Sequence, residues 1–137
     1  MPGPHIAAKA PLQIGTPLVV EGPNPDGGLA AVFEDDGETG YFYALDRERL
    51  ADPILDAVCI YDVGEVEARA QPRLLHIIWS PDQTQAALLI DQHPHAVFDF
   101  RGKRGYCRTG FPDTIAEHGW TRHEWNDRLQ QAFFPGG

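Results

Sequence analysis

The sequence predicts an α+β fold: a mainly antiparallel sheet of about six strands built from hairpins, with a C-terminal helix packed on one face. Three observations predict it. The 137-residue chain carries 14 glycines and 12 prolines, so turns recur and long helices are few. Apolar runs bounded by turn residues fill 29–45 and 73–100. Near the end, Thr121-Arg122-His123-Glu124 has the hydroxyl-to-carboxylate spacing of a capping box. A chain of this length holds one domain with a core large enough to fold without metal or disulfide. We divide it into an irregular lead-in over 1–17 and a single α+β domain over 18–137.

Taken in order, residues 1–17 contain four prolines and little periodicity, which is why they read as a lead-in. Leu18 to Glu21 is a short strand, broken by Gly22-Pro23-Asn24-Pro25-Asp26-Gly27-Gly28. Leu29 to Glu34 and Thr39 to Leu45 form a hairpin, with Asp36-Gly37 as the central pair of a type I′ turn. That turn would set Phe33 opposite Gly40, Val32 opposite Tyr41 and Ala31 opposite Phe42. Alternation then places Leu29, Ala31, Phe33, Phe42 and Ala44 on a core face and Val32, Glu34, Thr39, Tyr41 and Tyr43 on the other. Asp46 caps one helical turn that ends before Pro53, and Ile54 to Val63 is a further strand. Arg73–Trp79, Gln85–Ile90 and His95–Phe100 make a meander, with turns at Ser80-Pro81-Asp82 and Gln92-His93-Pro94. Asp113 to His118 is read as a short helix ended by Gly119. The clearest helix is expected from Thr121, with Trp120 and Trp125 as a hydrophobic staple and Trp125, Leu129, Ala132 and Phe133 as its apolar stripe. The expected core includes Phe33, Phe42, Ile60, Leu75, Ile77, Leu89, Phe98, Trp125 and Leu129.

Charge is unevenly spread. Glu21 to Glu67 holds thirteen of the chain's 20 acidic residues and two of its 11 basic ones, in a chain of net charge −9. A chain of this sign is repelled by nucleic-acid backbones, so DNA and RNA are not expected partners. No stretch approaches the length of a membrane span, and Cys59 and Cys107 fit no disulfide framework. The expectation is a cytoplasmic protein with no membrane partner and reduced thiols.

The strongest functional signal is the hairpin tip. Glu34, Asp35, Asp36 and Glu38 concentrate negative charge beside Tyr41 and Tyr43, and tyrosine is enriched where proteins bind one another. These six residues are the expected partner-binding set, and a basic protein is the expected partner. Against this stands the plainer reading of a solvated turn. A second constellation is Arg101-Gly102-Lys103-Arg104-Gly105-Tyr106-Cys107-Arg108. Arg101, Lys103, Arg104 and Arg108 form an alternative anion-binding set, as in a small-molecule-binding protein or an enzyme, because arginine grips carboxylate and phosphate bidentately. The run lacks the ending of a phosphate loop. Cys107 would be activated if Arg104 and Arg108 lay close to it, although a buried thiol is the simpler reading. His93-Pro94-His95, with Asp91, Asp99, His118 and His123, is the one metal-like cluster, and it matches no ligand spacing. Neither a catalytic motif nor a nucleotide fingerprint appears, so no catalytic residue, cofactor or metal is assigned.

Three segments together resemble a known family: FEDDGETGYFYALD (33–46), LLHIIWSP with AALLI (74–81 and 86–90) and HAVFDFRGKRGYCRTGFP (95–112). They are similar to small bacterial proteins grouped only as a domain of unknown function. The resemblance spans about 29–112 and implies a free-standing bacterial domain. It brings with it neither catalytic residue, cofactor nor substrate. The functional expectation is a non-enzymatic acidic protein-binding module, in its sharper form an immunity or antitoxin-type protein that neutralises a basic toxin.

Overall fold

The computed structural model describes residues 4–49, 51, 53–67, 70–107, 121–125, 128–129 and 133. The fold is all-β, not α+β. Among the described residues ten strands run β1 His5–Leu12, β2 Leu18–Pro23, β3 Leu29–Asp35, β4 Thr39–Asp46, β5 Ile54–Asp62, β6 Arg73–Trp79, β7 Gln85–Ile90, β8 His93–Asp99, β9 Arg104–Cys107 and β10 Thr121–Glu124. They form two sheets instead of one. A four-stranded sheet has the order β2-β3-β4-β5, and a six-stranded sheet has the order β1-β6-β7-β8-β9-β10. All neighbours are antiparallel except β10, which joins β9 in parallel at the edge.

The two sheets pack face to face because each turns an apolar face towards the other. Phe33, Phe42, Ala44, Val58 and Ile60 from one meet Leu75, Ile77, Trp79, Leu88, Ala96 and Phe98 from the other in a single buried cluster. Phe42 and Phe98 stack across the interface with ring centroids 4.9 Å apart. The Trp79 indole N–H donates to the Gly22 carbonyl at 3.0 Å, which pairs the one polar atom of a buried ring. Gly22 is required there: a Cβ at that position would lie 2.6 Å from Ile77 Cγ2.

Two sequence expectations are corrected at the ends of the chain. The lead-in contains β1, which pairs with β6 from His5 opposite Trp79 to Leu12 opposite Arg73. The capping-box helix does not start at Thr121. Thr121 to Glu124 is extended and lies along β9, with the Thr121 amide donating to the Lys103 carbonyl at 3.0 Å. The Thr121 hydroxyl lies 2.8 Å from His123 Nε2, a strand-face contact between residues two apart. Pairing with a distant strand satisfies the backbone that a cap would have served, so tertiary context outweighs the local signal. Trp120 and the 113–118 helix lie outside the described residues. The apolar stripe nevertheless finds its partner. Phe133 is buried, and Trp125 and Leu129 half-buried, against Ile78, Ala87, Leu89 and Val97 on the outer face of the six-stranded sheet.

The meander forms as expected, with one shift. The chain reverses at Asp91-Gln92, whose φ values of 53° and 67° are those of a type I′ pair, and His93-Pro94-His95 belongs to β8. A register shift between Leu88 and Leu89 accommodates Pro94 in that strand.

Candidate functional site

The acidic hairpin is built by β3 and β4, but its register differs from the expected one. Phe33 faces Phe42, Val32 faces Tyr43 and Glu34 faces Tyr41, and the last ladder pair is Asp35 with Gly40. The loop is therefore longer than two residues. The Asp36 amide donates to the Thr39 carbonyl at 3.2 Å, and the Glu38 and Thr39 amides donate to Asp36 Oδ1 at 2.9 Å. Those amides, Thr39 first and Glu38 next, hold the Asp36 carboxyl below its ordinary value. A two-residue change in register preserves the face of every side chain, so the sorting into core and outer faces stands.

The same alternation turns Asp35 inward. It is 1% exposed and has no place on a partner-binding surface. Its carboxylate accepts from the Tyr61 hydroxyl at 2.6 Å, the Gly15 amide at 2.7 Å and the Gly37 amide at 2.8 Å. Three segments are thereby tied to one charge: the 13–17 loop, the hairpin tip and β5. Tyr61 packs over Gly40, where a Cβ would fall 2.6 Å from the ring, so glycine is required there as well. Burial, followed by the Asp35 hydrogen bond and charge, pushes the Tyr61 phenol well up. Tyr61 and Gly15 were not among the expected site residues. Alternation was the signal that could have found this network, since Asp35 is two positions beyond Phe33 on the core face.

Asp36, Glu38, Asp62 and Glu65 are exposed at this end of the sandwich. The Val63 amide donates to the Glu38 carbonyl at 2.9 Å, tying the tip to the short 3-10 turn at Val63–Glu65. Between them lies an open hollow of about 420 Å³ lined by Gly37, Glu38, Thr39, Asp62, Val63 and Gly64. A second hollow of about 300 Å³ shares Asp62 and runs past Cys59, Tyr61 and Glu65. On the outer face of the sheet Tyr41 and Tyr43 stack, with centroids 6.0 Å apart and planes inclined by 23°. The Tyr43 hydroxyl donates to Glu34 Oε1 at 3.3 Å. Burial and then the Glu34 charge push the Tyr43 phenol up, so it stays a neutral donor at physiological pH. Glu34, Asp36, Glu38, Tyr41 and Tyr43 thus occupy one outer surface, and Asp35 does not.

The basic run is placed elsewhere. Arg101 and Lys103 are exposed on the turn between β8 and β9, where the Gly102 amide donates to Asp99 Oδ1 at 2.9 Å, and Arg104 is exposed at the start of β9. Arg101 contributes to holding the Asp82 carboxyl low, after the larger effects of hydrogen bonds from Ser80 and Thr84. None of these three basic residues lines either hollow. Arg108 lies outside the described residues. Cys107 is buried in the main core, its thiol donating to the Cys59 carbonyl at 3.5 Å. Burial pushes the Cys59 thiol up, which keeps it protonated and a poor nucleophile. His93 and His95 meet edge to face at 5.3 Å, while His123 packs 5.4 Å from the Tyr106 ring. Asp91 pairs with Arg73 at 3.2 Å, and His118 lies outside the described residues.

Comparison with known proteins defines the class. Residues 12–134 match the family described as uncharacterized proteins conserved in bacteria (DUF2251), and the chain belongs to that family. A relative from Haemophilus influenzae, itself described only as an uncharacterized protein, is 40% identical over 130 residues, spanning 94% of this chain and 81% of the relative. No solved structure matches. The family match extends beyond 29–112 at both ends, taking in the loop after β1 and the C-terminal segment over the six-stranded sheet.

Proposed function

We propose that this protein is a non-enzymatic binding module whose acidic end and tyrosine pair receive a basic protein. In the sharper form of this reading it is an immunity or antitoxin-type protein that neutralises a cationic toxin. One observation carries it: the four-stranded sheet has no lysine, arginine or histidine in any of its strands, while its tip and the adjoining turn expose Asp36, Glu38, Asp62 and Glu65. A surface of one sign steers an oppositely charged protein and raises its association rate. The half-exposed tyrosines beside it offer rigid aromatic area of the kind that anchors interfaces.

The test is co-purification with the product of the adjacent gene, followed by kinetics on the purified pair. Neutralising Asp36 and Glu38 to Asn and Gln is expected to slow association and to flatten its dependence on salt. Tyr41→Ala and Tyr43→Ala are expected to speed dissociation, by about 2 kcal/mol for a residue at the centre of the contact. A bound partner whose two rates are unchanged by all four substitutions would remove this surface from consideration.

A further inference from the structure

We propose that the outer face of the four-stranded sheet is a docking platform for a cationic amphipathic helix of a partner protein. This rests on the protein-binding reading above. It adds the surface that carries the buried contact and the shape of what lies on it.

The strand register aligns two rows across the sheet. One row is Val19, Glu34, Tyr41 and Cys59; the next is Glu21, Val32, Tyr43 and Ala57. All eight side chains leave the face opposite the core, and none belongs to the main buried cluster. Val19 is 64% exposed, more than Ile6 or Ile54, the other exposed large apolar side chains among the described residues. With Val32 and the stacked tyrosines it makes an apolar ridge flanked by the carboxylates of Glu21 and Glu34. The first row adjoins the tip, so Asp36 and Glu38 extend the negative rim beyond the ridge.

The two sheets differ in how this face is treated. On the six-stranded sheet, the outer apolar residues Ile78, Ala87, Leu89 and Val97 are covered by Phe133 with Trp125 and Leu129. On the four-stranded sheet, Val19, Val32, Tyr41 and Tyr43 belong to neither buried cluster and are not among the residues packed against one. Its edges are less available, because β1 packs beside β2 and β9 beside β5. Addition of a strand is therefore disfavoured relative to occupation of the face. Four strands about 4.8 Å apart give a platform roughly 14 Å wide. A helix is about 10–12 Å across with its side chains, and helix on sheet is a standard layer. Charge complementarity specifies the rest: a leucine- or aromatic-rich stripe to lie on the ridge, flanked by Lys or Arg to meet Glu21, Glu34, Asp36 and Glu38.

The experiment uses two probes, a helical Leu/Lys amphipathic peptide and an oligolysine of equal charge. Binding is measured by calorimetry at low and physiological salt, with amide chemical-shift mapping on the full chain. The Leu/Lys peptide is expected to bind with shifts centred on Val19, Val32, Tyr41 and Tyr43 and to survive salt better than oligolysine. The deciding variant is Val19→Glu. It adds an attracting charge and removes apolar contact, so attraction by charge alone predicts tighter binding, whereas the platform predicts binding roughly tenfold weaker. Tyr43→Ser is expected to act in the same direction. Unchanged or tighter binding by Val19→Glu, or shifts confined to Asp36, Glu38, Asp62 and Glu65, would sink the platform and leave the acidic-end reading standing. If neither peptide binds, both readings fall.

Discussion

At the residue scale, Asp35 is the decisive side chain. It sits in the most acidic run of the sequence, yet it is buried, and three donors within 2.8 Å replace the water it has lost. Two of those donors are amides of glycines at positive φ, Gly15 at 95° and Gly37 at 97°, so the loops are shaped to present them. Hydrogen bonds to a charged group contribute about 1.5–3 kcal/mol each. Asp35→Asn is therefore expected to destabilise the fold by about 2 kcal/mol or more, and Tyr61→Phe by about 1–3 kcal/mol. Urea midpoints for the two variants and the double variant test this, and additive losses would show that the two side chains do not act as a unit. Composition alone could not separate Asp35 from Asp36, which are adjacent and chemically identical. Alternation separates them, because one continues the face of Ala31 and Phe33 and the other lies in the turn. The tyrosines were legible for the same reason: Tyr41 and Tyr43 share a parity that Phe42 and Ala44 do not.

At the element scale, strands were legible where alternation or a continuous apolar run met a turn, and illegible where the evidence for pairing is distant. β3, β4, β6 and β7 follow directly from such patterns. β1 was hidden because HIAAKAPL is half exposed and its partner β6 begins 61 positions after the strand ends, at Arg73. β10 was misread because Thr-x-x-Glu serves as a cap or as a strand according to what lies beside it. Of the apolar stripe expected on a helix, Trp125, Leu129 and Phe133 do pack against the sheet, but Thr121–Glu124, where that helix was expected to begin, is a strand. Phe133 is 2% exposed against the outer face of the six-stranded sheet. Phe133→Ala is expected to destabilise the protein by about 3 kcal/mol or more, as for other buried aromatic truncations. A denaturation midpoint equal to that of the parent would mean that this segment does not hold the sheet face.

At the scale of the whole molecule, the number of sheets was beyond reach. Which apolar faces meet is a property of the folded chain and not of any local pattern, and among the described residues ten strands divided four and six bury one another face to face. Titration follows from that burial. Tyr61 and Tyr43 are both pushed up, chiefly by desolvation, with Asp35 and Glu34 adding to the effect. A phenol raised in the folded state contributes stability that is fully present below its unfolded value of about 10 and lost as pH rises through the folded value. Stability is thus expected to fall above about pH 10. Ultraviolet titration should show Tyr43 and Tyr61 ionising late, together with unfolding. Titration of Tyr43 and Tyr61 at the ordinary value, with the fold intact, would contradict the burial. On the acid side the sign reverses. Asp36, Asp82 and Asp91 are all held low by hydrogen bonds, so their contribution is present above the ordinary carboxylate value and lost as pH falls through the folded one.

The order of strands in the two sheets has a consequence for synthesis on the ribosome. β2 to β5 are consecutive in sequence and adjacent in space, so every pairing in that sheet is local. β1 emerges before any of them and must wait for β6. The small sheet is expected to form first, with the larger one closing around a strand that has stayed unpaired while more than sixty residues were added. During that interval Lys9 and Pro11 within β1 discourage pairing with a strand of another nascent chain. In pulse-labelling hydrogen exchange, amides of β3 and β4 are expected to gain protection before those of β1. Simultaneous protection of both would mean that the chain condenses as one unit.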